Sequence, residues 1–150
     1  EWNHFAENVK ECLEGLICGN YSKSQISINI VILQADGNTK AAIFNAITLA
    51  LLDAGIALKD FMVAVNVGVV KESVLVDLNS EEEKSAFTEL LITFMPRSST
   101  IDFVDLKSKK SSSKEVSGLF EVGEKAAMEI YTVLSDYVKE FSLRRLLFSR

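Results

Sequence analysis

Between residues 5 and 17 the apolar positions Phe5, Val9, Cys12, Leu13, Leu16 and Ile17 recur every three to four residues, the spacing of one helix face, and Gly19-Asn20 supplies a stop. An amphipathic helix therefore opens the chain. The period then changes: across 25–34, Ile26, Ile28, Ile30 and Ile32 alternate with Ser27, Asn29, Val31 and Leu33, which predicts a strand that is polar early on one face and apolar on both later. The turn Ala35-Asp36-Gly37-Asn38 hands over to a helix predicted across 39–54, with Ile43, Ile47 and Leu51 in one row and Phe44, Thr48 and Leu52 beside it. That helix carries almost no charge, so burial on most sides is expected. Residues 61–70 read as a strand with Phe61, Val63, Val65, Val67 and Val69 on one face, and 73–78 as its hairpin partner across Lys71-Glu72. A second pair, 90–95 and 100–106, turns at Pro96-Arg97-Ser98. Residues 107–114 hold four lysines and four serines and read as a solvated loop. Ser112 with Glu115 offers a capping box for a long last helix, whose stripe includes Leu119, Ala127, Ile130, Leu134, Tyr137 and Phe141. The predicted order is α-β-α-β-β-β-β-α, an α+β class with a mostly antiparallel sheet packed with helices.

Composition narrows the function classes. At 150 residues, 48% hydrophobic and 25% charged, the chain fits one globular domain with a real core. A net charge of −5 excludes nucleic-acid binding through the field of the whole chain, leaving only a local basic or backbone-amide site. Cys12 and Cys18 are too few for a disulfide scaffold and are read as reduced, structural thiols. His4 stands alone, which excludes a multi-histidine metal centre. The longest apolar run, 41–52, includes Asn45 and Thr48 and is too short for a membrane span, and the polar, acidic start is no signal peptide. A soluble intracellular protein with no membrane partner is expected.

Chemistry can sit in three places. At Gly37-Asn38-Thr39-Lys40 a glycine turn meets a helix N-terminus, where unpaired amides attract anions and Lys40 adds a compact positive charge. Phosphate is the natural ligand; alternatively Gly37 only makes the turn and Asn38 or Thr39 caps the helix. The carboxylates Asp77, Glu81, Glu82, Glu83 and Glu89 offer oxygen ligands for a hydrated magnesium ion, or simply form a wet surface. Lys107, Lys109, Lys110 and Lys114, with Arg144, Arg145 and Arg150, can touch an RNA backbone or merely keep a loop and a tail solvated.

An ordered phrase runs through Ser24-Gln25-Ile26, Val31-Ile32-Leu33-Gln34-Ala35-Asp36-Gly37, Asn45-Ala46, Leu49-Ala50-Leu51-Leu52-Asp53-Ala54-Gly55-Ile56 and Lys59-Asp60-Phe61. It continues with Val76-Asp77-Leu78-Asn79-Ser80-Glu81-Glu82 and Met95-Pro96. This phrase resembles the RNase PH-type exoribonucleases, and within them the exosome ring subunit nearest to bacterial RNase PH. The resemblance implies an RNase PH-like fold and a phosphorolytic ancestry, in which inorganic phosphate attacks the last internucleotide bond of an RNA 3′ end. Phosphate would then sit at Gly37, Asn38, Thr39 and Lys40. Active members read Gly-Gly-Thr-Arg-Ser at that turn, so Asn38, Lys40 and Ala41 are departures that remove an arginine fork and a hydroxyl. Glu83 and Glu89 occupy the places of two aspartates credited with acid catalysis and metal binding, each one methylene longer.

The resemblance therefore implies a core ring subunit of an RNA exosome in 3′-to-5′ RNA processing and degradation, non-catalytic, structural and RNA-channelling, with no cofactor. The alternative is an active phosphate-dependent exoribonuclease, with Glu83 and Glu89 as weak catalytic residues holding Mg2+ and with inorganic phosphate as co-substrate. Expected partners are other RNase PH-type ring subunits, cap proteins and single-stranded RNA, in the nucleus, including the nucleolus, and the cytoplasm. Residues 1–150 are expected to be a single partial domain without its N-terminal half. Such a piece leaves sheet edges and apolar surface uncovered, so association with itself or with partners is expected.

Overall fold

A computed structural model describes residues 2–19, 21, 24–109 and 113–148. The elements are helices α1 (Trp2–Leu16) and α2 (Thr39–Asp53), strands β1 (Val63–Val70) and β2 (Ser73–Val76), helix α3 (Ser80–Ser85), strands β3 (Thr88–Met95) and β4 (Thr100–Ser108), and helix α4 (Ser113–Phe148). The four strands form one antiparallel sheet in the order β2-β1-β3-β4.

Alternation along β1 divides the interior into two layers. Val63, Val65 and Val67 point with Leu90 and Ile92 toward α4, where Leu119 and Ala127 meet them. Ala64 and Leu91 point the other way, into a core built with Leu16 of α1 and Phe44 and Ile47 of α2. At Gly123 α4 lies close against the sheet, since a Cβ there would lie 2.7 Å from Ile92 Cδ1. On the opposite face Asn45 is bonded to both backbone polar groups of one residue: its Nδ2 donates to Ala64 O at 2.9 Å and its Oδ1 accepts from Ala64 N at 2.7 Å. Thr48 Oγ1 donates to Met62 O at 2.9 Å. These contacts fasten α2 to the entry of β1, so the two polar residues inside an apolar helix are positional devices.

Several expectations change, among them the start of β1, which is Val63 and not Phe61. Residues 25–34 form no strand among the described residues, and the chain bends at Leu33: no neighbouring strand reaches them, and a ladder needs a partner whatever the period-2 patterning favours. The acidic stretch forms α3, nucleated by Asn79, whose side chain accepts from Glu81 N and Glu82 N while Glu82 bonds back to Asn79 N in a full capping box. The first strand of the second pair starts at Thr88 and its partner runs to Ser108, so Lys107 lies in β4, opposite Glu89, and not in a loop. The first helix already begins at Trp2. The partner of the hairpin ends at Val76, because Asp77 takes a left-handed φ of 60°. Lys110 and Ser112, with its proposed cap, lie outside the described residues.

Candidate anion site at the start of the second helix

The turn before α2 is pressed against the connection between β2 and α3. Gly37 has φ +87°, and a Cβ there would sit 2.3 Å from Leu78 O and 2.6 Å from Asn79 C. Only glycine fits this crossing. The contact has a chemical consequence: it brings the carboxylates of the 77–83 segment onto the N-terminus of α2.

Asn38 is the N-cap residue, with a left-handed φ of 49°, yet its side chain makes no capping bond. Its Nδ2 donates instead to Asp77 Oδ1. Its backbone N–H donates to Glu83 Oε1 at 2.7 Å. A carboxylate thus already lies where the helix dipole and the amide favour an anion. Lys40 Nζ forms an ion pair with Asp105 Oδ2 at 3.1 Å and lies 5.5 Å from the centroid of the Phe5 ring. Glu89 faces Lys107 at 3.7 Å.

Asn38, Thr39, Lys40, Glu83 and Glu89 all line one small cavity of about 170 Å³. Gly37 is not on its wall; its contacts are with the 78–79 backbone. The structure therefore brings together two segments that are far apart in sequence, and separates the glycine from the chemistry. The other carboxylates divide: Asp77 bonds to Asn38, while Glu81 and Glu82 contribute to the start of α3. Arg144 and Arg145 lie elsewhere, Arg145 bonding to Asp53 at 2.7 Å and Arg144 to Glu140 at 2.6 Å, and Arg150 is outside the described residues.

Two polar wall residues, Asn66 and Asp105, escaped sequence reasoning, while Lys107, a candidate RNA-backbone contact from the sequence, also lines this wall. Asn66 carries a signal, a polar residue inside Val63-Ala64-Val65-Asn66-Val67, where burial demands a reason. It is 7% exposed, and its Oδ1 has no hydrogen-bond partner among the described residues. Asp105 is legible only through register: it pairs with Leu91, which pairs with Asn66, so three strands deliver one row to the mouth of α2.

The donor set fits a divalent ion poorly. Glu83 is bonded to an amide and Glu89 faces an ammonium, and among the described residues no group of three histidine, cysteine or acidic side chains gathers as a metal-ligand set.

Comparison with known proteins agrees with this architecture. Residues 3–57 match the RNase PH family, described as the 3′ exoribonuclease family, domain 1. The exosome complex component RRP41 of Homo sapiens is 35% identical over 120 residues, covering 80% of this chain and 49% of that protein. The exosome complex component Rrp41 of Pyrobaculum islandicum is 33% identical over 132 residues, covering 87% of this chain and 53% of that protein. The crystal structure of rice (Oryza sativa) Rrp46 superposes with a TM-score of 0.69 over 91% of this chain and 63% of the other, at 19% identity, which speaks for the fold alone. The chain is similar to RNase PH-type proteins in sequence and in fold. Its relatives in sequence are exosome components, and it spans about half the length of those relatives.

Proposed function

We propose that this chain serves as a non-catalytic ring subunit of an RNA exosome, assembling with other RNase PH-type subunits and cap proteins and lining a path for single-stranded RNA during 3′-to-5′ processing and degradation. The nucleus, with its nucleolus, and the cytoplasm are its proposed places of work. One observation carries the non-catalytic part: Glu83 Oε1 accepts from the Asn38 amide at 2.7 Å, so the amide that would receive phosphate already holds a carboxylate. The pairing of Lys40 with Asp105 and the replacement of an arginine fork by lysine act in the same direction. Incoming phosphate would have to displace one negative group and approach another, a like-charge arrangement that costs binding.

A second reading, weak phosphorolysis with Mg2+, draws on the convergence of Glu83, Glu89 and the unpartnered Asn66 oxygen on one cavity. The two readings separate in one assay. The chain, alone and assembled with RNase PH-type subunits whose own sites are inactivated, is given single-stranded RNA, inorganic phosphate and Mg2+. The proposal expects retention of RNA by the assembly and no nucleoside diphosphate; phosphate-dependent diphosphate release that disappears in Glu83→Ala overturns it.

A further inference from the structure

The cavity at the start of α2 is short of hydrogen-bond donors. Strand alternation turns the Asn66 side chain, with that of Ala64, to the side of β1 that packs on α2, and the residue is 7% exposed. Its Oδ1 is buried and accepts no hydrogen bond among the described residues, and the same holds for Asn38 Oδ1 on the same wall. Buried acceptors in that state cost free energy that a bound donor would recover. Beside them stand three carboxylates, each with one oxygen already engaged: Glu83 Oε1 by the Asn38 amide at 2.7 Å, Asp105 Oδ2 by Lys40 at 3.1 Å and Glu89 Oε2 by Lys107 at 3.7 Å. Each carboxylate carries a second acceptor oxygen.

Charge then selects the class of ligand. Glu83, Glu89 and Asp105 against Lys40 and Lys107 leave the wall one formal negative charge in excess. A single monovalent cation balances that excess, whereas a divalent ion overshoots it and meets two ammonium groups. The rest of the wall includes Trp2 and Leu91, apolar surface that suits a hydrocarbon stem, and an indole ring attracts an ammonium. A bare alkali ion has no use for that surface and brings no donor. We propose that this cavity takes the head of a primary alkylammonium ion, with one N–H donating to Asn66 Oδ1, the charge set against the three carboxylates and the stem leaving along Trp2 and Leu91. At about 170 Å³ the space holds a head group and its first carbons, so the source is a free aliphatic amine or a single lysine side chain. This inference goes beyond the exosome reading and calls on neither RNA nor phosphate.

The test uses the full chain, isotopically labelled, in a buffer free of amines. The Asn66 side-chain amide is followed by NMR and Trp2, the one tryptophan of the chain, by fluorescence. Methylammonium chloride is expected to shift both signals saturably. Tetramethylammonium chloride, with the same charge and no N–H, is expected to give no saturable change, nor is potassium chloride at equal ionic strength. Asn66→Leu, read through Trp2, is expected to weaken methylammonium binding about tenfold or more. The comparison of the two ammonium ions on the unaltered chain stands even where Asn66→Leu folds poorly. Putrescine binding more tightly than Nα-acetyl-lysine amide names a free amine as the source, and the reverse order names a lysine side chain; both support the site. Equal responses to the two ammonium ions, or no saturable response to methylammonium, overturn the proposal. So does tighter binding of K+ or Mg2+ than of methylammonium at the Asn66 amide, or an Asn66→Leu chain that binds methylammonium as tightly as the unaltered one.

Discussion

Val63–Val70 and residues 25–34 have nearly the same patterning, β-branched residues in alternation with one asparagine in the middle, and they meet opposite fates. The first becomes the central strand β1, with β2 on one side and β3 on the other and α-helices over both faces. The second forms no strand and stays uncovered. The difference teaches that periodicity reports the conformation a segment prefers, whereas pairing is a property of what the fold brings alongside it. The asparagines repeat the lesson, since Asn66 is buried with an unpartnered oxygen in the site and Asn29 faces solvent.

The largest effect is expected from removing volume on the packed side of this comparison. Ile92, fully buried between β1 and α4, should cost about 2–5 kcal/mol when changed to alanine, while Leu33→Ala in the uncovered segment should stay within about 0.5 kcal/mol, both read from denaturant midpoints. Equal costs would show that 25–34 is packed within the monomer. Next comes Gly37→Ala, which must move the 78–79 backbone and hold alanine at a left-handed φ; a loss on the order of 2 kcal/mol is expected. The smallest effect concerns Cys12, 7% exposed, whose thiol is pushed up to about 12 from 9.0 by burial and then by the neighbouring Asp102 carboxylate. Because the folded state holds this proton more tightly than the unfolded state, its contribution is intact below pH 9 and declines as pH rises from 9 toward 12. A thiol reagent at neutral pH should therefore label Cys18 well before Cys12.

Most of the scaffold was legible because its signals are local. The helical stripe from Phe5 to Leu16, the uncharged α2 and the valine run of β1 each carry their own periodicity, and the structure keeps all three. Helix α3 was not, since six residues are too few for a periodic signal and its start depends on the Asn79 capping box. In the candidate site, Gly37 to Lys40 and the two glutamates were visible as separate groups. Their meeting was not, because it rests on the close crossing of Gly37 over Leu78 and Asn79, and the role of Asp105 rests on sheet register. Nor could spacing show that the carboxylate proposed as a metal ligand is bonded to the amide proposed as a phosphate donor.

That last contact is the centre of the account, and one titration tests it most directly. Inorganic phosphate is added to the isotopically labelled chain while the backbone amides of Asn38, Thr39 and Lys40 are followed by NMR. The account predicts no saturable shift at these amides in the unaltered chain and the appearance of one in Glu83→Gln, where the occupying charge is gone. Saturable binding of phosphate at Asn38 in the unaltered chain would contradict it.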